Sequence, residues 1–160
     1  SKPCLRLCGL CPAPQVDPLK FANDAAEAAD LADLYALAAS QDAVINYDTF
    51  GNNANWEEID GVNYLEVYTD GSGEFAGDEY LAHAGFGVSY GGLPNSPADF
   101  GPVKSSAQTS YRGELRGLAQ ALARCKIPIV LYIDCLTVVE QLQRYITHGV
   151  SNAEGPAAAL

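Results

Sequence analysis

The sequence has no methionine, a single tryptophan and few bases: 9 Lys and Arg stand against 20 Asp and Glu. Each shortage excludes something. A net charge of −11 makes a poor general binder of nucleic acid, because neutralising phosphate supplies most non-specific affinity. No apolar run approaches the roughly 18 residues that a membrane-crossing helix requires, so no transmembrane segment is expected. No basic stretch leads into an apolar one near the start, so there is no secretory signal to read. The chain opens on Ser1 without an initiating Met, which reads as a processed product or a fragment, so that any targeting segment it once had would already be gone. The five cysteines, Cys4, Cys8, Cys11, Cys125 and Cys135, are odd in number, and two sit in apolar segments. That is no secreted disulfide framework, and an intracellular reducing compartment is favoured.

What is present is unevenly spread. Residues 1–100 hold 16 acids and 3 bases, whereas residues 101–160 hold 4 acids and 6 bases, so the acidity belongs to the first part. Residues 1–16 form a Cys/Pro-rich arm. Its three thiols fall one ligand short of the four that structural zinc takes, so an exposed or packed arm is the stronger reading. Residues 17–61 read as an acidic helix and a linker. Asp17 and Pro18 make a helix start. Ala28, Leu31, Leu34, Tyr35 and Ala38 then make a shallow apolar stripe at helical spacing. Residues 46–61 look like a polar connection pinned by Trp56.

From Val62 the texture changes. "VNYLEVYT" and "HAGFGVSY" read as strands, and "FGPVKSSAQT" holds a short third one. Residues 110–125 make a helix with Leu115, Leu118, Ala119 and Leu122 on one side and Arg112, Arg116, Gln120 and Arg124 on the other. That arginine stripe is either a phosphate-contacting face or a solvated one. "IVLYIDC" is a buried strand by its continuous apolar character. Residues 137–146 make a closing helix with Val138, Val139, Leu142 and Ile146 inward, and His148 reads as a surface or C-cap residue. The order β-β-(β)-α-β-α defines an α/β domain over residues 62–148, followed by a tail at 149–160.

Three acids stand out by position. One strand ends at Asp70, and the strand after the helix ends at Asp134. Strands joined through a crossover helix run parallel, and ligands collect beyond their carboxyl ends. The intervening helix carries Glu114 in its opening turns. Three converging carboxylates make a hard oxygen site suited to Mg²⁺. Taken singly, each has a plainer reading: a turn at Asp70-Gly71, an N-cap at Asp134, an arginine partner at Glu114.

"VYTDGSG", "AGFGV", "TSYRGELRGLAQAL" and "YIDCLTVVEQL" resemble, in order, four blocks of the ribonuclease H type 1 domain, including the versions carried by retroelements. The likeness covers about residues 62–146. It implies an RNase H-like mixed sheet with flanking helices, here with an N-terminal helical extension. It implies an RNA-DNA hybrid endoribonuclease with Asp70, Glu114 and Asp134 as catalytic, metal-binding acids and two Mg²⁺ ions. Gly71, Ser72, Ser110, Tyr111 and Arg112 would then lie near the hybrid. The family adds a fourth acid on a later helix, behind a His-containing loop, and the sequence has no counterpart to either. The rival expectation is a non-catalytic accessory or scaffold subunit that meets protein partners through its N-terminal extension.

Overall fold

A computed structural model describes residues 4–7, 25–41, 44–50, 53–76, 78, 81–104 and 108–148. Side chains of residues 4–7 and 25–27, and the whole of Cys8, Cys11 and the 149–160 tail, fall outside that description. The fold is mixed α/β. Six strands are β1 (Cys4–Leu7), β2 (Trp56–Ile59), β3 (Val62–Glu74), β4 (His83–Tyr90), β5 (Ala98–Pro102) and β6 (Ile129–Ile133). Three helices are α1 (Ala25–Ala39), α2 (Ser110–Arg124) and α3 (Leu136–His148).

The sheet runs β1-β6-β3-β4-β5, with β2 paired to the start of β3. Only β3 and β6 run parallel among the paired strands; β1–β6, β2–β3, β3–β4 and β4–β5 are antiparallel. Along β3 the side chains alternate. Leu65, Val67 and Thr69 are buried on the helix side, while Glu66 and Tyr68 stand on the other face and are half-buried. On β6, Ile129, Leu131 and Ile133 join the same core as Leu118 and Ala121 of α2 and Val138 and Val139 of α3. Burying side chains of this size contributes about 1.5–3 kcal/mol each, so this shared layer is the main support of the fold.

Several expectations change. "DGSG" after Thr69 is not a turn: β3 continues through it, paired with β4 from Asp70↔Gly87 to Glu74↔His83. The segment read as a polar connection contains β2, joined to β3 by a two-residue hairpin. Asp60 and Gly61 take φ of 52° and 78° there, the signature of a type I′ turn. Ile45 and Phe50 from the same segment are buried in the core, and Ile45 bridges to Cys125 after α2. Trp56 does pin this stretch, stacked on Tyr47 at 5.5 Å and edge-on to Phe50 at 6.0 Å. The Cys/Pro arm includes a strand, since β1 adds to the edge of β6.

On α1 the inward side carries the buried Asp30 with Leu31, Leu34 and Leu37 half-buried, whereas Ala28 and Tyr35 are exposed. Asp30 turns inward because Arg116 waits there: Arg116 Nε donates to Asp30 Oδ2 at 2.7 Å. Lys126 Nζ donates to the Ala38 carbonyl at 2.9 Å, placing a cation at the C-terminal end of α1. Ile146 of α3, expected inward, is 52% exposed, because the core contacts of that helix come from Val138, Val139 and Leu142. Among the described residues, no helix is long and apolar enough to cross a membrane.

Candidate functional site

The helix α2 starts where Thr109 caps it, its hydroxyl accepting from the Arg112 amide at 3.2 Å. Its first turns then press directly onto β3. A Cβ on Gly71 would sit 2.2 Å from the Glu114 nitrogen, and one on Gly113 would sit 2.3 Å from the Gly85 carbonyl oxygen. No other residue type tolerates that approach, which explains why glycine stands at both positions and why the strand stays regular through them.

This contact sets Glu114. The last parallel pair of β3 and β6 is Thr69↔Ile133. Past it, β6 has ended, and the Gly71 amide donates to the Glu114 side chain. Asp70, within β3, and Asp134, just past β6, are the residues that follow this pair, both exposed. Adjacent strands lie about 4.8 Å apart, so both acids project from the same end of the central pair. Glu114 itself is 6% exposed. Burial raises its proton affinity above the ordinary carboxylate range; the Gly71 amide opposes this, and the charges of Asp70 and Asp134 add to it. The electrostatic field of all three acids therefore overlaps at Glu114.

Glu114 Oε2 is buried without a hydrogen-bond partner, and so is Thr69 Oγ1. Buried oxygens are seldom left this way, because each costs roughly 1–3 kcal/mol. The donor set, three carboxylates with one orphaned buried oxygen, suits a hard divalent cation. Among the described residues, however, no three His, Cys, Asp or Glu are gathered closely enough to hold a metal ion as they stand. The acids lie around the end of the parallel β3–β6 pair without forming a closed coordination shell.

The residues expected near substrate divide. Gly71 lies against Glu114, and Ser72 is exposed on β3 next along the strand. Ser110 opens α2, exposed, with its backbone against Gly71 and Gly73. Tyr111 is committed elsewhere. Its hydroxyl donates to Gln141 of α3, and burial raises its proton affinity. Arg112 is half-buried in the first turn of α2.

The rest of the arginine stripe is neither solvated nor open to phosphate. Arg116 pairs with Asp30, donates to Gln120 Oε1 at 2.8 Å and lies 4.6 Å over the Phe86 ring. Arg124 donates to Asp99 Oδ1 at 2.6 Å and lies 5.2 Å over the Tyr90 ring. Sequence reasoning missed Thr69, Asp30 and Asp99. Thr69 carried a signal, a polar residue at a core-facing strand position beside Asp70; the other two act through partners remote in sequence.

Comparison with protein-family models, with curated proteins and with solved structures found no match to the chain. The fold and the site define a mixed α/β domain with three acids at one end of its parallel strand pair.

Proposed function

We propose that this chain is an RNase H-like domain whose activity is metal-dependent cleavage of the RNA strand in RNA·DNA hybrids. One observation carries the reading: a buried glutamate with an unpartnered oxygen, placed where the parallel pairing of β3 and β6 stops and an aspartate follows on each chain segment. The element order supports it, with an antiparallel run of three strands, a helix bearing the glutamate, and a parallel strand followed directly by the second aspartate. Asp70, Glu114 and Asp134 would hold Mg²⁺, two ions in the active state. When bound, such ions lower the pKa of water and stabilise a leaving oxygen. The chain's own contribution is positioning. The Gly71 amide fixes the glutamate, and the tight α2–β3 contact keeps it from turning away. Ser72 and Ser110, both exposed where β3 meets the start of α2, would offer hydroxyls to a backbone laid over this contact.

A second reading, a non-catalytic RNase H-fold scaffold subunit, is favoured by a different observation. Arg116, Arg124 and Tyr111 are consumed in internal contacts, and the chain carries −11. Protein partners would then be met through the N-terminal extension. A hybrid-cleavage assay in Mg²⁺ decides between the two. Cleavage by the wild type that falls at least about 100-fold in Asp70→Asn supports the enzyme. Absence of cleavage with retained folding supports the scaffold, and equal rates reject Asp70 as a site residue.

A further inference from the structure

We propose that Thr69 is a positioning residue for Glu114, its hydroxyl donating to the second carboxylate oxygen once a divalent cation is held at Asp70, Glu114 and Asp134. This rests on the metal-site reading above. Thr69 is 5% exposed and Glu114 6%, and Thr69 Oγ1 and Glu114 Oε2 are each buried with no hydrogen-bond partner. One is a hydroxyl with a proton to give; the other is an acceptor.

Their elements face each other in one contact. A Cβ on Gly117 would stand 3.6 Å from Thr69 Cβ, and one on Gly113 would stand 3.0 Å from Gly71 Cα. Glu114 lies between those two positions on α2, as Thr69 and Gly71 lie together on β3. Residues two apart on a strand point to the same side, about 6.8 Å from each other. The Gly71 amide already holds the Glu114 side chain, leaving the other oxygen unheld. From Leu65 to Gly73, Thr69 is the one polar side chain that β3 directs toward α2. The residue that can fix that second oxygen from the strand is therefore Thr69. Without the cation, the hydroxyl and the carboxylate oxygen both stay unpaired. With it, the hydroxyl closes the glutamate's hydrogen bonding and fixes which oxygen faces the two aspartates.

The test uses the full chain as wild type, Thr69→Val and Thr69→Ser, with Mg²⁺ itself as the probe. Melting in EDTA and calorimetric Mg²⁺ titration are measured for each. The valine variant removes the unpaired hydroxyl at nearly constant shape, so its Tm in EDTA should rise by about 2–4 °C. Its Mg²⁺ affinity should fall about tenfold, the loss of one hydrogen bond to a charged group, while serine should keep the affinity within about twofold. A merely structural threonine would give the opposite pattern, a lower Tm in EDTA on valine substitution, and that result overturns the proposal. So does wild-type Mg²⁺ affinity in the valine variant, which would leave the metal site standing and remove only Thr69. If the wild type takes up no Mg²⁺, the metal-site reading itself fails and this role falls with it.

Discussion

Asp30 on α1 and Arg116 on α2 form an ion pair 86 residues apart in sequence, at 2.7 Å, with each side chain 13% exposed. The pair makes the N-terminal helix part of the domain. Removing one partner of a mostly buried pair strands the other charge, so Asp30→Ala is expected to cost about 2–3 kcal/mol, the low side of the range because some solvent reaches both groups. Lys104–Asp33, with side chains 52% and 65% exposed, is the control. Asp33→Ala should shift the urea midpoint by less than a quarter as much. Equal effects would show that the α1–α2 contact does not depend on Asp30.

Asp99 gathers three donors: Arg124 Nη1 on one oxygen, and Tyr90 Oη at 2.8 Å and Gln120 Nε2 at 3.0 Å on the other. Burial pushes its proton affinity up, but the bonds from Arg124, Gln120 and Tyr90 outweigh burial and hold Asp99 below the usual carboxylate range. A depressed acid stabilises the fold above its unfolded pKa, near 3.9, and the contribution disappears as pH falls through the folded value. Chemical denaturation of wild type and Asp99→Asn at a series of pH values should show a stability gap constant above about pH 5 and shrinking below about pH 4. A gap that widens on acidification would mean the carboxylate is not held ionised by these donors.

Two glycines on neighbouring strands should respond in opposite ways. Gly71→Ala drives a methyl to 2.2 Å from the backbone of Glu114, whereas nothing lies within 4 Å of a Cβ on Gly87, its near neighbour across the β3–β4 pair. Overpacking against backbone is expected to cost roughly 3 kcal/mol or more at Gly71. Gly87→Ala should stay within about 0.5 kcal/mol of wild type or improve on it, because alanine narrows the unfolded ensemble. Thermal melts of both variants suffice. Comparable losses would mean α2 does not approach β3 this closely.

Cys125 leaves α2 against the core, and burial pushes its thiol pKa up to about 12. The thiolate is the reactive species. Native protein treated with iodoacetamide at pH 8 should therefore leave Cys125 unmodified by peptide mass analysis, and urea should expose it. Rapid native labelling at Cys125 would contradict the packing around the Ile45 bridge.

The parts of the fold legible in the sequence were those whose signal is local. The apolar run Ile129–Ile133 and the 3.6-residue pattern of α2 each declare an element without outside help. The Asp60-Gly61 hairpin was equally local, flanked by Ile59 and Val62, yet its polar surroundings hid it. The strand through Gly71-Ser72-Gly73 was illegible for a tertiary reason: α2 needs bare backbone there, and glycine reads as a turn until its neighbour is known. Asp30 and Asp99 look like surface acids until Arg116 and Arg124 are folded against them. For the site, the parallel pairing of β3 and β6 was legible, and with it the position of Asp70 and Asp134 just past its last pair. That Glu114 Oε2 and Thr69 Oγ1 would be buried unpaired was not legible, because burial of a single atom has no sequence pattern.

Glu114 separates an ion site from an ordinary structural acid. Its carboxylate is buried, has one unpartnered oxygen and is opposed by Asp70 and Asp134. On the metal-site reading, that cost is offset when a cation is held by the three acids, and the charge of Glu114 is what a substitution can test. Glu114→Gln keeps the shape and removes the charge. In EDTA it should raise stability by about 1–2 kcal/mol, since a buried charge without a counter-ion is lost. In Mg²⁺ it should lose the stabilisation that the wild type gains, because binding to the folded state adds stability only while the ligand is held. Melting curves with and without Mg²⁺ read both effects. A variant less stable than wild type in EDTA would make Glu114 a packing residue and remove the main support for a metal site.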